Sequence, residues 1–481
     1  MRKEFVSILV CMLLITVVVS PVVATLKINN KNIENESTNI GDFILQPPKQ
    51  WDKTYGGANT DGGRCVQQTT DGGFIIAGWT DSSGAGGLDV WLIKTDGNGN
   101  QIWAQTYGGT QDDWANSVYQ TSDGGFIVTG ATKSYGPGTP TYTNMWLIRT
   151  DGSGIKQWDK VFGGVWDDEA WTVEETIDGG YCVIGSVTWH VGAGLADFWL
   201  IKTNSNGIEQ WNVTFGGTDD DVAFSGHQTS DGGYVLAGGT QSYGQVNYYD
   251  VWIVKTDSSG SHQWDQTFGP ASAMGRSVQE TNDGGYIITG YNLWGLDQEV
   301  WLIKTDSNGN EQWNTTFGGS QDDQCFSVQQ TIDGGYILAG WTESYGAGGM
   351  DVWLIKTDGS GNKEWDNRYG GIQNDQAFSV KQTNDGGYIL AGRTASYGAG
   401  MDDVWLIKIT SSLKWAILLG RISNLNTTGA FSTFTAVRLL IIQFSPFQIL
   451  VYNLGESVTV SNQYIGILTQ NFAIGLFNAA I

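Results

Sequence analysis

The chain has 481 residues, among them 68 Gly, 22 Trp, 7 Pro, 4 Cys and 3 His, and 40% of it is apolar. That apolar share and so many tryptophans exclude a disordered chain, and a glycine content about twice the average with few prolines favours many turns and little helix. The 25 Lys and Arg against 49 Asp and Glu give a net charge of −24, which argues against nucleic acid as a partner, since phosphate binding needs a basic surface.

In chain order, Arg2 and Lys3 precede an apolar run from Phe5 to Val19, followed by Ser20, Pro21 and the small-residue exit Val22-Val23-Ala24. This is the pattern of a secretory signal. Residues 1–24 are therefore expected to be a signal peptide, leaving a mature protein outside the cytoplasm, secreted or at the cell surface, with no membrane span. The alternative is an uncleaved amino-terminal membrane anchor, because apolar residues continue to Val23. Residues 25–50 are polar and without period, and read as a linker. The sequons at Asn35, Asn212, Asn314 and Asn426 are compatible with export. Loss of Cys11 leaves Cys65, Cys182 and Cys325, an odd number at different repeat offsets, so no disulfide framework is expected.

From residue 51 the chain repeats. Asp-Gly-Gly recurs at Asp71, Asp123, Asp178, Asp231, Asp283, Asp333 and Asp385, about every 52 residues. The tryptophans of VWLIKT keep the same period at 91, 146, 199, 252, 301, 353 and 405, and a second series stands at 51, 103, 158, 211, 264, 313 and 365. Each copy holds four short strand signals separated by turn signals, and no segment has a 3.6-residue amphipathic period. Seven four-stranded units predict an all-β fold, a seven-bladed β-propeller over 51–410. The first copy opens with what reads as a last strand, WDKTYGG at 51–57, so this segment is expected to complete the seventh blade as its outer strand. A decayed copy at Ser411–Trp415 competes for that place. In this register the short S-V-x-Q-T segment, with Gln68, Gln120, Glu175, Gln228, Glu280, Gln330 and Gln382, lines the central channel.

The hairpin Asp306-Ser-Asn-Gly309-Asn-Glu-Gln-Trp313 and its relatives at Gly99/Trp103, Gly154/Trp158, Gly207/Trp211, Gly260/Trp264 and Gly361/Trp365 resemble the tryptophan-docking repeat of quinoprotein-like propellers, with a turn one residue shorter. The whole unit is similar to repeats of secreted or surface propellers of bacteria and archaea. The resemblance implies a fold and is nearly silent on activity. With seven blades and no Cys-Cys pair, it does not imply pyrroloquinoline quinone.

Four residues after YGG or FGG an Asp recurs at Asp61, Asp113, Asp168, Asp221, Asp323 and Asp375, with Met274 in the fifth copy. Asp112, Asp167, Asp220 and Asp322 add neighbouring acids. A second series opens the VWLIK strand at Asp89, Asp197, Asp250, Glu299, Asp351 and Asp403. Both belong at one rim. They could capture a hard cation, Ca²⁺ above all, or cap backbone N–H groups in repeated turns. Repetition in nearly every copy favours the turns, and no cofactor is expected. Tyr135, Tyr243, Tyr345 and Tyr397, with Trp189 in the third copy, join the same rim. They could bind a sugar or a peptide, or pack each loop onto its blade.

The fifth copy departs at Phe268-Gly-Pro270 and at the short loop 292–298, with Trp294. His190, His227 and His262 fall in different places of different copies, which supports neither a metal site nor a nucleophilic triad. Arg64, Arg276, Arg368 and Arg393 are read as scattered among different repeat offsets, so no arginine cluster is expected. From 411 to 481 charges are sparse, and the alternation in TFTAVRLLIIQF and SVTVSNQY predicts a small β appendage. The chain is therefore expected to be a monomeric binding or adhesion propeller at or outside the cell surface, its ligand a glycan or surface protein at an acidic, tyrosine-bearing rim. An extracellular polysaccharide-acting enzyme using rim carboxylates and a purely structural envelope protein are the alternatives.

Overall fold

The repeats fold as expected because their middle strands have no polar face to show to water. In the sixth unit the strands are Asp323–Gln330, Tyr336–Thr342, Asp351–Thr357 and Lys363–Tyr369, and the second and third are buried at every position. A strand apolar on both sides must be covered on both sides, and here the cover is the neighbouring sheet. The computed structural model describes residues 47–189, 194–244, 248–269, 272–294 and 297–410, together with six carboxyl-terminal strands between 415 and 477. The expected signal and most of the expected linker, 1–46, lie outside the described residues. The described elements are all strands, and those up to 409 form seven antiparallel four-stranded sheets. Seven apolar clusters each join two successive blades, including one that joins the last to the first through Tyr55, Val66, Phe74, Val404 and Leu406.

The turn chemistry is the same in every blade. Thr331 Oγ1 and Gly335 N both donate to Asp333 Oδ1, and Gly334 takes φ +83°, a conformation open to glycine. The cation of the third strand reaches back to this Asp. Lys94, Arg149, Lys202, Lys255, Lys304, Lys356 and Lys408 pair with Asp71, Asp123, Asp178, Asp231, Asp283, Asp333 and Asp385 at 2.5–3.2 Å. The repeated K and D of the sequence are thus one ion pair per blade, tying the third strand to the first turn.

The ring closes through the amino-terminal strand. Lys49–Tyr55 pairs antiparallel with Asp403–Ile409 and completes the seventh sheet. Its side chains repeat the internal pattern. Trp405 Nε1 donates to Asp52 at 3.0 Å, as Trp353 does to Asp366 at 2.9 Å in the blade before. Trp51 lies over Gly99 of the first blade, as Trp313 lies over Gly361 of the sixth, with the ring so close that a Cβ on either glycine would collide with it. Of the competing stretch, Trp415 instead opens a carboxyl-terminal strand, and 411–414 lie outside the described residues. That strand, Trp415–Thr428, belongs to a six-stranded sheet with Phe431–Ser445, Gln448–Leu454, Val458–Val460, Ile465–Thr469 and Phe472–Phe477.

The inner strands are locked to one another by a circle of hydrogen bonds. The backbone N–H groups of Thr70, Ser122, Ile177, Ser230, Asn282, Ile332 and Asn384 each donate to the side chain of Gln120, Glu175, Gln228, Glu280, Gln330, Gln382 and Gln68 in the following blade. The last of these crosses from the seventh blade to the first. The Gln and Glu of the S-V-x-Q-T segment therefore serve as fasteners between blades. The fifth blade differs from expectation in one respect. What the sequence suggests as a loop at 292–298 is a continuation of the hairpin, Tyr286–Trp294 against Asp297–Thr305, with Trp294 opposite Asp297. Ladder pairing there replaces the glycine-rich loops of the other copies.

Candidate functional site

The two acidic series converge, as expected, on the YGG glycines at one rim. An atom added to Gly108 would strike both Asp89 and Asp113, and at Gly370 both Asp351 and Asp375, so the glycine is there because two carboxylates leave no room. The loop acids are fully buried. Asp113 accepts from Gly109 N at 2.8 Å, from Ser134 Oγ at 2.7 Å and from Thr132 Oγ1. Asp375 is held in the same way by Gly371, Ser396 and Thr394, and Asp221 by Gly217 and Thr240. Asp323 takes Gly319 N and Ser344 Oγ, and Asp168 takes Gly164 N and Thr188 N. These carboxylates latch the loop after the YGG to the loop after the second strand. Burial, joined by the charge of the partner acid, raises the pKa of Asp89 and Asp351. Among the described residues no group of three or more His, Cys, Asp or Glu is arranged to hold a metal, and both oxygens of Asp113 and of Asp375 already accept hydrogen bonds.

The rim tyrosines share one posture. Tyr135, Tyr243, Tyr345 and Tyr397 donate their hydroxyls to Gly108, Gly216, Gly318 and Gly370 O at 2.6–2.9 Å. Each ring rests 5.1–5.6 Å from the third-strand Trp of its own blade. One face packs the loop and the ring stays partly exposed. Trp189 behaves differently. It stands in a left-handed conformation, φ 60°, 61% exposed, with its ring 6.0 Å from Trp166, which in turn lies 5.0 Å from Tyr142. A non-glycine residue held there is a backbone cost that marks a site worth a functional reading. Trp166 was legible in the sequence only as a departure, a Trp where the preceding copy has Gln111. Tyr142 sits in the longer loop of the second copy.

The central channel contains what the sequence reading overlooked. Every inner strand carries a β-bulge, and the extra residue is Arg64, Asn116, Trp171, Phe224, Arg276, Phe326 and Phe378 in turn. A bulge re-aims a side chain, and here it aims them at a cavity of about 990 Å³ on the axis. The arginines are not scattered as expected. Arg64 and Arg276 share one offset, seven residues before the Asp of their DGG turns, and differ only in blade. Their contacts form a circuit. Arg64 lies 4.4 Å from the Phe378 ring and 5.9 Å from Trp171, and Arg276 lies 4.0 Å from Phe224 and 5.6 Å from Phe326. Phe326 meets Phe378 at 5.3 Å, and Trp171 meets Phe224 at 5.1 Å.

Farther along the same channel the inner strands present Gln67, Tyr119, Glu174, His227, Gln279, Gln329 and Lys381. Glu280 N donates to His227 Nε2 at 3.1 Å, and Gln228 N donates to Glu174 Oε1. Burial holds the His227 pKa down at about 4, aided by Lys381 and Lys255, and pushes Glu174 up to about 7. His227 is thus a neutral acceptor in a position that glutamine fills in three other blades. His262 opens an outer strand, and His190 lies outside the described residues. Cys65, Cys182 and Cys325 are free thiols.

No protein-family model and no curated protein matches the chain. Among solved structures it is similar to the Pan2 WD40 domain of Neurospora crassa, 12% identical over 73% of this chain and 91% of that one, TM-score 0.45. It is also similar to Sqt1 of Chaetomium thermophilum bound to the N-terminus of the ribosomal protein L10, at 10%, 76%, 100% and 0.43 for the same quantities. A protein of unknown function from Dyadobacter fermentans gives 9%, 75%, 99% and 0.42.

Proposed function

We propose that the protein is a non-enzymatic binding propeller outside the cytoplasm, which holds a glycan on the aromatic platform of Tyr142, Trp166 and Trp189. The observation that carries this reading is the continuity of three rings across the junction of the second and third blades, two of them exposed on the rim. The C–H face of a sugar stacks on flat, half-exposed indoles, while nearby polar groups orient its hydroxyls. The leader-like start of the chain supports a place where such ligands occur. A polysaccharide-acting enzyme is less favoured because Asp113, Asp221 and Asp375 are already committed to their own loops.

A glycan-array screen followed by titration calorimetry tests the proposal. Trp166→Ala and Trp189→Ala should each weaken the selected glycan about tenfold, or about 1.4 kcal/mol, and Tyr397→Ala on the far side of the rim should leave it unchanged. Equal losses at all three positions, or a hit indifferent to both tryptophans, would refute the platform.

A further inference from the structure

The belt of bulge residues around the channel includes two cations, Arg64 and Arg276, that make no ion pair among the described residues. Among the described residues the Arg64 side chain makes no hydrogen bond and no ion pair, and the buried Nε atoms of both Arg64 and Arg276 lack partners. Arg276 meets Tyr291, whose ring lies 5.6 Å from its guanidinium. Arg393 is spent on Gln376 and Asp402. The carboxylate that Arg64 feels, Glu169, has its Oε1 occupied by Trp114 Nε1 and Asn116 Nδ2, at 2.8 and 2.9 Å. A chain of net −24 has acids to spare, yet among the described residues none forms an ion pair with these guanidiniums.

A partly buried guanidinium whose Nε has no partner, and which makes no ion pair, gains from an anion that completes it. Rings of Trp79, Trp171 and Phe378 about Arg64, and of Phe224, Tyr291 and Phe326 about Arg276, stabilise each charge, and the N–H edge of a guanidinium suits a bidentate oxyanion. We propose that the central channel binds a small organic oxyanion with a flat ring, its carboxylate or phosphate taken by Arg64 and Arg276 and its ring stacked against Trp171 and Phe378. The belt residues other than Asn116 are all partly open to the channel, so solvent reaches them, and the cavity has room for a ligand of this size. The seven-fold repeat explains why this is one site. The bulge is present in all blades, but only two copies place an arginine on it. The site is independent of the glycan platform, which lies on the rim.

The test is calorimetry and tryptophan fluorescence on the full chain with benzoate, phenyl phosphate, neutral benzamide and inorganic phosphate. Benzoate or phenyl phosphate should bind, the stronger of the two identifying the oxyanion, with benzamide at least about tenfold weaker. Arg64→Gln and Arg276→Gln should each cost about tenfold or more, while Trp166→Ala leaves this binding unchanged. Should a glutamine variant fail to fold, Arg276→Lys keeps the charge without the fork and should still weaken binding severalfold. Binding of benzamide equal to benzoate, indifference to the arginine variants, or no binding of either ring anion at millimolar concentration would overturn the proposal. Inorganic phosphate as tight as phenyl phosphate would overturn the stacking half of it.

Discussion

At the scale of residues, two kinds of titration act on this fold with opposite consequences. Burial would raise the pKa of Asp71, Asp178, Asp231 and Asp283, but hydrogen bonds from Thr, Lys and the glycine N–H outweigh it and hold each at about 2. A depressed carboxylate stabilises the native state above its unfolded pKa of about 3.9, and the gain is lost as pH falls through about 2. These oxygens are more than half exposed, so each pair is worth only about 0.5–1 kcal/mol, and the repeated sum should appear as a fall in melting temperature between pH 4 and pH 2. In the channel, His227 cannot take the proton that the unfolded chain accepts below 6.5, so it costs stability as pH drops from there towards about 4. Glu174 has the other sign, its contribution full below 4.5 and lost as pH rises through about 7. The two oppose each other between pH 5 and 6.5. His227→Gln, which keeps an acceptor for Glu280 N, should leave Glu174 alone, so that thermal stability rises on going from pH 7.5 to 5. A variant with the unaltered slope would show that these groups do not carry it.

At the scale of elements, the strand Lys49–Tyr55 does the work of closure. It contributes a full edge of backbone hydrogen bonds to Asp403–Ile409, the Asp52 acceptor for Trp405, and Trp51 and the Tyr55 hydroxyl on Gly99 of the next blade. A chain lacking residues 47–57 would expose the edge of the seventh blade and half of an apolar interface, and exposed edges associate. Light scattering should find the truncated chain more self-associated than the intact one; a truncation no more self-associated and of unchanged melting temperature would mean that another segment closes the ring. The acid latches are a second device at this scale. Asp375→Ala removes the acceptor for Gly371, Ser396 and Thr394 and leaves those donors buried. It should cost about 3 kcal/mol, measured as a lower melting temperature, and if the hydrogen bonds alone hold the latch, added EDTA should leave the melting temperature of the parent unchanged.

At the scale of the whole molecule, the repeat makes the architecture readable from the chain alone. Two tryptophan series, a DGG turn and a third-strand lysine at one period specify a four-stranded unit, because each is a local requirement of turn or strand. The count of seven and an orphan last strand at the start specify closure. The appendage was legible only as alternation in its strands. Function was less accessible for a physical reason. The loop acids look like a ligand surface in sequence, since a row of aspartates has no other signature, and only the packed loops show their oxygens turned inward to Thr, Ser and backbone N–H. The arginine belt was hidden in the opposite way. Arg64 and Arg276 lie 212 positions apart in the chain, and neither is remarkable in its own copy. What makes them a site is a bulge that turns both towards one axis and a ring that brings blade one opposite blade five. Periodicity determines what every blade has in common; the few departures from it acquire meaning only when closure places them side by side.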